Sequence, residues 1–257
     1  MPFSLIRCDR SLKVKKSSTN IIMKILAIVR TYIKQIPQLL ILLPSIHLAA
    51  NNSRIYLTTF VLNTGLLSDN PAIQNATMAI TQVLSELGMH PQIELKSWVY
   101  ESKKSYGYVA SDVQLKLHIR RPERGKYILF CNGDTYYTPD FFQEVLPFMK
   151  TGVDLIATSF VPSRRHAKVN SWVIRCRFKH GSVDLNGLLF RTQAVREMNV
   201  SFSKLSNPCY VKHWKARGCR GPEKRPYWIA DWGMAVQMIE SGATKICAGN
   251  RPLYVQN

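Results

Sequence analysis

The stretch YILFCNGDTYYTPDFF, residues 127–142, decides how the rest of the chain is interpreted. Its residues 128–131 form a short apolar run, which predicts a strand buried on both faces. The run ends at the turn sequence NGDT, residues 132–135, which presents a carboxylate just beyond the strand. Because ligands of open α/β sheets bind at the carboxyl ends of the strands, this corner is a candidate ligand site. The alternative is a structural corner with one solvated aspartate.

Strands and helices alternate along the chain on both sides of this stretch. Further strands are predicted, from their β-branched and aromatic content, at residues 55–63, 92–100, 153–161 and 245–255. Helices are predicted at residues 72–88 and 109–119, after Pro139, and from Asp231 to about Gly242. The alternation predicts an α/β fold, a single Rossmann-like domain with a mostly parallel, mixed central sheet flanked by helices.

The charge balance is strongly basic. The 257 residues include 35 Lys and Arg against 16 Asp and Glu, a net charge of +19 at pH 7. This favours anionic partners such as nucleic acid, phosphorylated small molecules, anionic lipid or acidic glycans. A basic nucleic-acid-binding protein is one alternative. No nucleic acid is expected, because the basic residues lie in loops and the N-terminal segment and no nucleic-acid motif is present.

The six cysteines include no CxxC pair and no Cys/His spacing typical of zinc sites. Cys131 lies in the apolar run and is predicted to be a small core residue. Cys209 and Cys219 flank a basic loop, and two alternatives stay open for them: a disulfide in an oxidising compartment, or a free pair.

Residues 1–53 differ in composition from the rest of the chain. A basic flank precedes the uncharged run 35–53, which Pro37 and Pro44 interrupt. The segment resembles a signal peptide or signal anchor, and the alternative is a basic amphipathic helix packed on the domain. We therefore predict a leader at residues 1–53 and a catalytic domain at 54–257. A signal would place the protein at a membrane or in the secretory pathway (ER/Golgi), and its absence in the cytoplasm.

The order of motifs resembles that of GT-A-fold glycosyltransferases with nucleotide-sugar donors, most like family 2. NGDTYYTP is similar to their layout of strand, D-x-D-like element, proline and helix, with Asn132 and Asp134 at the two acidic positions. The resemblance implies that Asp134 holds Mn²⁺ or Mg²⁺, which offsets the charge on the departing diphosphate. It also implies that Asn132 and Gly133 bind the donor, although an asparagine supplies no anionic ligand.

Two later stretches extend the resemblance. VDLNGLLFRTQAV, residues 183–195, is similar to the family strand beside donor sugar and acceptor, which implies sugar contacts from Asp184, Asn186 and Gly187.

WIADWGMAVQMIESGATKI, residues 228–246, is similar to the segment that carries the general base. Asp231 takes that role by resemblance and Trp232 that of a sugar platform. An N-cap is the structural alternative for Asp231.

The end of strand 55–63 is where this fold meets the nucleotide base, which implies donor contacts from Thr58 and Asn63. Basic residues in 164–179 and 212–225 could close over a diphosphate, and a solvated basic face is the alternative.

The resulting hypothesis is a metal-dependent, inverting glycosyltransferase. It would move a sugar from a nucleotide-diphosphate donor to a hydroxyl of a glycan, lipid or protein acceptor. A nucleotidyltransferase on a related fold would need a glycine-rich loop with Arg or Lys directly after the first strand. This alternative is disfavoured because TGLLSDNP, residues 64–71, has no basic residue. A non-catalytic relative that binds a sugar nucleotide or a partner protein stays open, because Asn132 and Ala230 replace family acids.

Overall fold

A computed structural model of the chain describes residues 22–64, 71–88, 92–98, 108–121, 125–162, 173–179, 181–206 and 230–256. Its strands are β1 (Lys24–Tyr32), β2 (Tyr56–Thr64), β3 (Gln92–Trp98), β4 (Tyr127–Asn132), β5 (Thr135–Tyr137), β6 (Leu155–Val161), β7 (Leu188–Arg191) and β8 (Lys245–Gln256). Its α-helices are α1 (Leu39–Asn52), α2 (Pro71–Glu86), α3 (Tyr108–His118), α4 (Phe141–Thr151), α5 (Thr192–Glu197) and α6 (Ala230–Glu240). Short 3₁₀ helices cover Ile33–Gln38, Leu185–Gly187 and Phe202–Ser206.

The strands form one mixed sheet in the order β3-β2-β1-β4-β7-β6-β8-β5. The first four are mutually parallel, β7 runs antiparallel to both of its neighbours, and the edge strand β5 is antiparallel to β8. The predicted α/β class with a mixed central sheet is confirmed. Strand β1 has β2 on one side and β4 on the other, so the strand order reverses there, and such a switch point opens a crevice at the carboxyl ends.

The central strands are buried on both faces, as expected of parallel strands under helices. Ile25, Ala27 and Val29 of β1 belong to a core cluster that includes α1, whereas Leu26 and Ile28 belong to the cluster that includes α3 and α6. Residues 127–131 of β4 are at most 1% exposed. The apolar run 128–131 is therefore part of a central strand.

The predicted boundary after residue 53 is wrong, because β1 and α1 both precede it. Strand β1 lies at the centre of the sheet, so β2, which was predicted to be the first core strand, is the second. Leu42, Leu43 and Ile46 of α1 are fully buried in the core, which accounts for the apolar run 35–53. Within the described ranges, no helix is both long and apolar enough to cross a membrane.

The structure contains a disulfide that the sequence did not predict, between Cys176 and Cys247 of β8. It ties the segment 173–179 to the sheet. Cys131 is a free, buried thiol, as predicted. Cys209 and Cys219 lie outside the described residues.

Candidate functional site

Arg30 and Asn132 meet at the switch point of the sheet. They are register partners at the carboxyl ends of β1 and β4. The Arg30 Nη2 donates a hydrogen bond to the Asn132 Oδ1. The Arg30 side chain is 6% exposed, so a nearly buried cation lies directly beside the NGDT turn. This placement follows from the strand pairing, because parallel strands align residues across their shared edge.

Tyr108 connects this cation to Asp231. The Arg30 guanidinium lies 3.9 Å above the centroid of the Tyr108 ring, a cation–π contact. The Tyr108 hydroxyl donates to the Asp231 Oδ1 at 2.9 Å. Burial is the main reason that the pKa of Tyr108 is raised well above its usual range. The hydroxyl therefore stays protonated and is the donor of this hydrogen bond. Asp231 lies in the first turn of α6, which brings it to this edge of the sheet.

A second set of hydrogen bonds supports the NGDT turn from within the protein. The Asn132 backbone N–H donates to the Asn186 Oδ1 at 2.6 Å. Asn186 donates from its own N–H and Nδ2 to the Asp184 Oδ1, at 3.0 and 2.6 Å. Tyr254 donates to the same carboxylate oxygen at 3.1 Å, and Gln256 to the Asp184 Oδ2 at 3.3 Å.

Asp184 has an unusual proton affinity. Burial, followed by the negative charge of Asp231, raises the pKa of Asp184 to about 7, and the hydrogen bonds from Asn186 and Tyr254 oppose that rise. The carboxylate is only 8% exposed. Its role in the structure is therefore to anchor a buried polar network, whose charge depends on pH near neutrality.

Three residues that were predicted to contact sugar are buried. Asn186 and Gly187 are fully buried or nearly so, and the oxygens of Asp184 accept from protein donors. A Cβ added at Gly187 would lie 2.4 Å from the Tyr254 Cε1 and 2.6 Å from the Thr158 Oγ1. Asp184 and Asn186 belong to the hydrogen-bond network that supports the NGDT turn, and the sugar contacts of the three residues stay a prediction.

Asp134 and Gly133 occupy the turn between β4 and β5. Asp134 is partly exposed and lines an open cavity of about 260 Å³, together with Gln38, Ile41, Thr135, Tyr136 and Val255. The Gly133 N–H donates to the Arg30 carbonyl at 2.8 Å. A Cβ on Gly133 would lie 2.8 Å from the Thr31 Oγ1, so this close approach requires glycine.

The NGDT turn offers few oxygen ligands to a divalent cation. The Asn132 carbonyl oxygen accepts from Arg30, which leaves Asp134 as the oxygen ligand of the NGDT sequence. In the part of the chain that the structure describes, no three His, Cys, Asp or Glu side chains cluster to hold a metal. One carboxylate fits Mg²⁺ or Mn²⁺ when diphosphate oxygens and water complete the coordination.

The remaining predicted contacts have mixed positions. Thr58 is the third residue of β2, towards the amino end of the strand, and is buried; its donor contact stays a prediction. Asn63 lies near the carboxyl end of β2, in register with Thr31. Trp232 is partly buried against the core beside Asp231. Residues 163–172 and 207–229, with most of the predicted basic loops, lie outside the described residues.

The sequence reasoning missed Arg30 and Tyr108. A signal for Arg30 was present, because residues 25–29, ILAIV, form an apolar run of the same kind as residues 128–131. The flanking charges of Lys24 and Arg30 made it resemble a leader. Tyr108 carries no local signal, since its importance comes from partners far away in the chain.

No family model and no curated protein sequence matches this chain. Solved structures do match it. Residues 1–349 of TarS from S. aureus superpose with a TM-score of 0.58 at 13% identity, and the same protein in complex with UDP with 0.56 at 14%. The mannosyltransferase PcManGT from Pyrobaculum calidifontis, in complex with GDP-Man and Mn²⁺, gives 0.53 at 12% identity.

These matches cover 91–92% of this chain, whereas the chain spans 60% of the TarS structures and 57% of PcManGT. The neighbours are GT-A-type glycosyltransferases, so the predicted GT-A-like fold is confirmed.

Proposed function

We propose that this protein is a glycosyltransferase that moves a sugar from a nucleotide-diphosphate donor to an acceptor hydroxyl, with a divalent metal and with inversion. The observation that carries the proposal is the pairing of Arg30 with Asn132 at the switch point of the sheet. Asn132 lies two residues before Asp134, the residue suited to a metal and diphosphate, and Arg30 is linked through Tyr108 to Asp231, the residue suited to an acceptor. The structural neighbours that contain UDP or GDP-Man support the class of donor.

Asp231 would act as the general base. The acceptor hydroxyl gives its proton to the Asp231 carboxylate while its oxygen forms a bond to the anomeric carbon of the donor sugar. The bond from that carbon to the diphosphate oxygen breaks, and the nucleoside diphosphate leaves with the electron pair. Because this is one displacement from the face opposite the leaving group, the product has the inverted configuration. Tyr108 holds the Asp231 Oδ1, so we assign the Oδ2 to the acceptor.

Asp134 would hold Mn²⁺ or Mg²⁺ together with diphosphate oxygens. When bound, such a cation supplies positive charge to the departing diphosphate. The Gly133 and Asn132 backbone groups fix the turn that carries Asp134, through their bonds to Arg30 and Asn186. The Mn²⁺ in the PcManGT structure supports this choice of metal.

The partners follow from the same chemistry: a nucleotide-sugar donor and a glycan, lipid or protein acceptor. The Cys176–Cys247 disulfide supports a secretory location (ER/Golgi), because disulfides persist in oxidising compartments. Membrane association through the N-terminus would rest on residues 1–21, outside the described residues.

A second candidate is a non-catalytic protein that binds sugar nucleotide. One observation favours it: Asn132, at a position where the family resemblance expects an acid, gives its carbonyl oxygen to Arg30. Such a protein would keep donor binding and have no turnover.

The test combines binding and turnover. Calorimetry with UDP and GDP, with and without Mn²⁺, is followed by a screen of sugar nucleotides for hydrolysis and transfer. Asp134→Asn should abolish metal-dependent binding, and Asp231→Asn should keep binding and lower turnover at least 100-fold, the usual scale of general-base catalysis. Glu144→Gln, at a surface carboxylate on α4, is the matched control. Absence of metal-dependent binding in the unmodified protein refutes the proposal. Binding without turnover selects the second candidate.

A further inference from the structure

One chain of contacts crosses the candidate site from the donor side to the acceptor side. It runs from Asn132 to the Arg30 guanidinium, from there to the face of the Tyr108 ring, and from the Tyr108 hydroxyl to Asp231. Its two ends, Asn132 and Asp231, are far apart in sequence, and four separate elements (β4, β1, α3 and α6) supply its members. The NGDT turn and the carboxylate of α6 are therefore held by the same buried cation.

We propose that Tyr108 and Arg30 are positioning residues for Asp231. Arg30 fixes the Tyr108 ring, and the Tyr108 hydroxyl orients the Asp231 carboxylate towards the acceptor. The inference rests on the proposed function, because it gives Asp231 the role of the base.

The hydroxyl contact has a direct physical effect on a carboxylate base. A hydrogen bond to one oxygen restricts rotation of the Asp231 carboxylate, so the other oxygen points in one direction. Burial keeps Tyr108 protonated, so the direction of donation is fixed.

The packing of Tyr108 separates this role from a structural one. Its ring centroid lies 5.0 Å from that of Phe202 and beneath the guanidinium, and both ring contacts survive in Tyr108→Phe. That variant removes the hydroxyl with its hydrogen bonds to Asp231 and Arg30 and leaves the ring in place. Tyr127→Phe is a matched control, because the Tyr127 hydroxyl donates to the Val153 carbonyl at 2.7 Å from the amino end of β4, away from the site.

The experiment measures kcat, KM and Tm for the full chain and both variants. Tyr108→Phe should lower kcat about tenfold, the scale of one hydrogen bond to a charged group, with the donor KM unchanged. Tyr127→Phe should lower the Tm and leave kcat unchanged. An unchanged kcat in Tyr108→Phe, or an equal loss of kcat in the two variants, overturns the inference.

A second measurement keeps this inference distinct from the proposed function. The carbon-13 chemical shift of the Asp231 carboxyl group is measured by NMR in the unmodified protein and in Tyr108→Phe, where loss of the hydrogen bond should change it. If transfer is absent but this change is seen, the proposed function fails and the contact stands. If transfer is present and the chemical shift does not change, the positioning role fails and the function stands.

Arg30→Lys tests the other half of the chain. Lysine keeps the charge but lacks the planar group that covers the Tyr108 ring and reaches Asn132. Because Arg30 acts through Tyr108, the double variant with Tyr108→Phe should lose no more kcat than the worse single variant. Multiplied losses in the double variant would show that the two residues act independently, and would remove Arg30 from the inference.

Discussion

Gly187→Ala distinguishes a glycine that packs the core from one that contacts a sugar. The added Cβ would lie 2.4 Å from the Tyr254 Cε1 and 2.6 Å from the Thr158 Oγ1. Ordinary carbon contacts are near 3.5–4.0 Å, so the Tyr254 ring must move by roughly 1 Å. Gly187 lies directly after Asn186, so the movement would disturb the network behind the NGDT turn.

The cost has two parts. Overpacking of a core costs about 1–3 kcal/mol. A 1 Å displacement of Tyr254 also breaks its 3.1 Å hydrogen bond to Asp184, which costs about 1–3 kcal/mol in a buried site. Together the free energy of unfolding should fall by about 2–6 kcal/mol, a large share of the stability of a domain.

Urea unfolding, followed by circular dichroism, measures this loss. Tyr254→Phe removes the hydrogen bond alone and should cost about 1–3 kcal/mol, less than Gly187→Ala. Gly242→Ala meets no atom within 4 Å but has a φ of +87°, so it should cost only about 1–2 kcal/mol from left-handed backbone strain. If Gly187→Ala retains full stability and raises KM for a sugar substrate, the glycine contacts sugar and the packing interpretation is refuted.

Three further predictions concern stability. The pKa of Asp184 is about 7 in the folded chain and 3.8 ordinarily, so between these pH values the folded chain holds a proton that the unfolded chain has lost. The free energy of unfolding should therefore fall as the pH rises from about 4 to about 7. Urea unfolding at pH 5 and pH 8 should show a larger fall in this free energy for the unmodified protein than for Asp184→Asn. Reduction of the Cys176–Cys247 disulfide, which spans 71 residues, should cost up to about 4 kcal/mol, and a Cys176→Ser/Cys247→Ser variant should unfold alike with and without reductant. Asp154→Ala, which leaves the Arg191 side chain without its 2.6 Å ion pair, should lower the free energy of unfolding by about 2–4 kcal/mol, and an unchanged urea midpoint would contradict the structural role of the pair.

The sequence was most informative where chemistry and burial are local. Residues 128–131 are apolar without interruption because β4 is covered on both faces, and the turn after them could be placed from its composition. Strand β1 has the same apolar pattern, but Lys24 and Arg30 flank its apolar run 25–29 and resemble the charges of a basic leader. In the structure Lys24 is exposed at the first residue of β1, and Arg30 is buried against the face of the Tyr108 ring. The neighbours in sequence do not distinguish a basic residue that is exposed, such as Lys24, from one that is buried, such as Arg30.

The directions in which the Asp184 and Asn186 side chains point could not be predicted from the sequence. Asp184 and Asn186 were placed near the NGDT turn by motif order, and they do lie there. Whether a buried carboxylate faces a cleft or the interior depends on donors such as Tyr254 and Gln256, 70 and 72 residues away in the chain. No periodicity encodes such partners, so the sequence gives proximity to the site and leaves the role of each side chain undetermined.

The amide at position 132 has a physical explanation in this network. Its oxygen accepts from Arg30, and its backbone N–H donates to Asn186, so the residue joins β1, β4 and the turn before β7. A carboxylate there would form an ion pair with the nearly buried Arg30, in which the two charges cancel. Both charges would also lose hydration, which costs free energy. With asparagine, the positive charge of Arg30 is not cancelled beside Asn132, and it can act on Asp231 through Tyr108. The asparagine therefore fits the proposed site, in which Asp134 would hold the metal and Arg30 would fix Tyr108 beside Asp231.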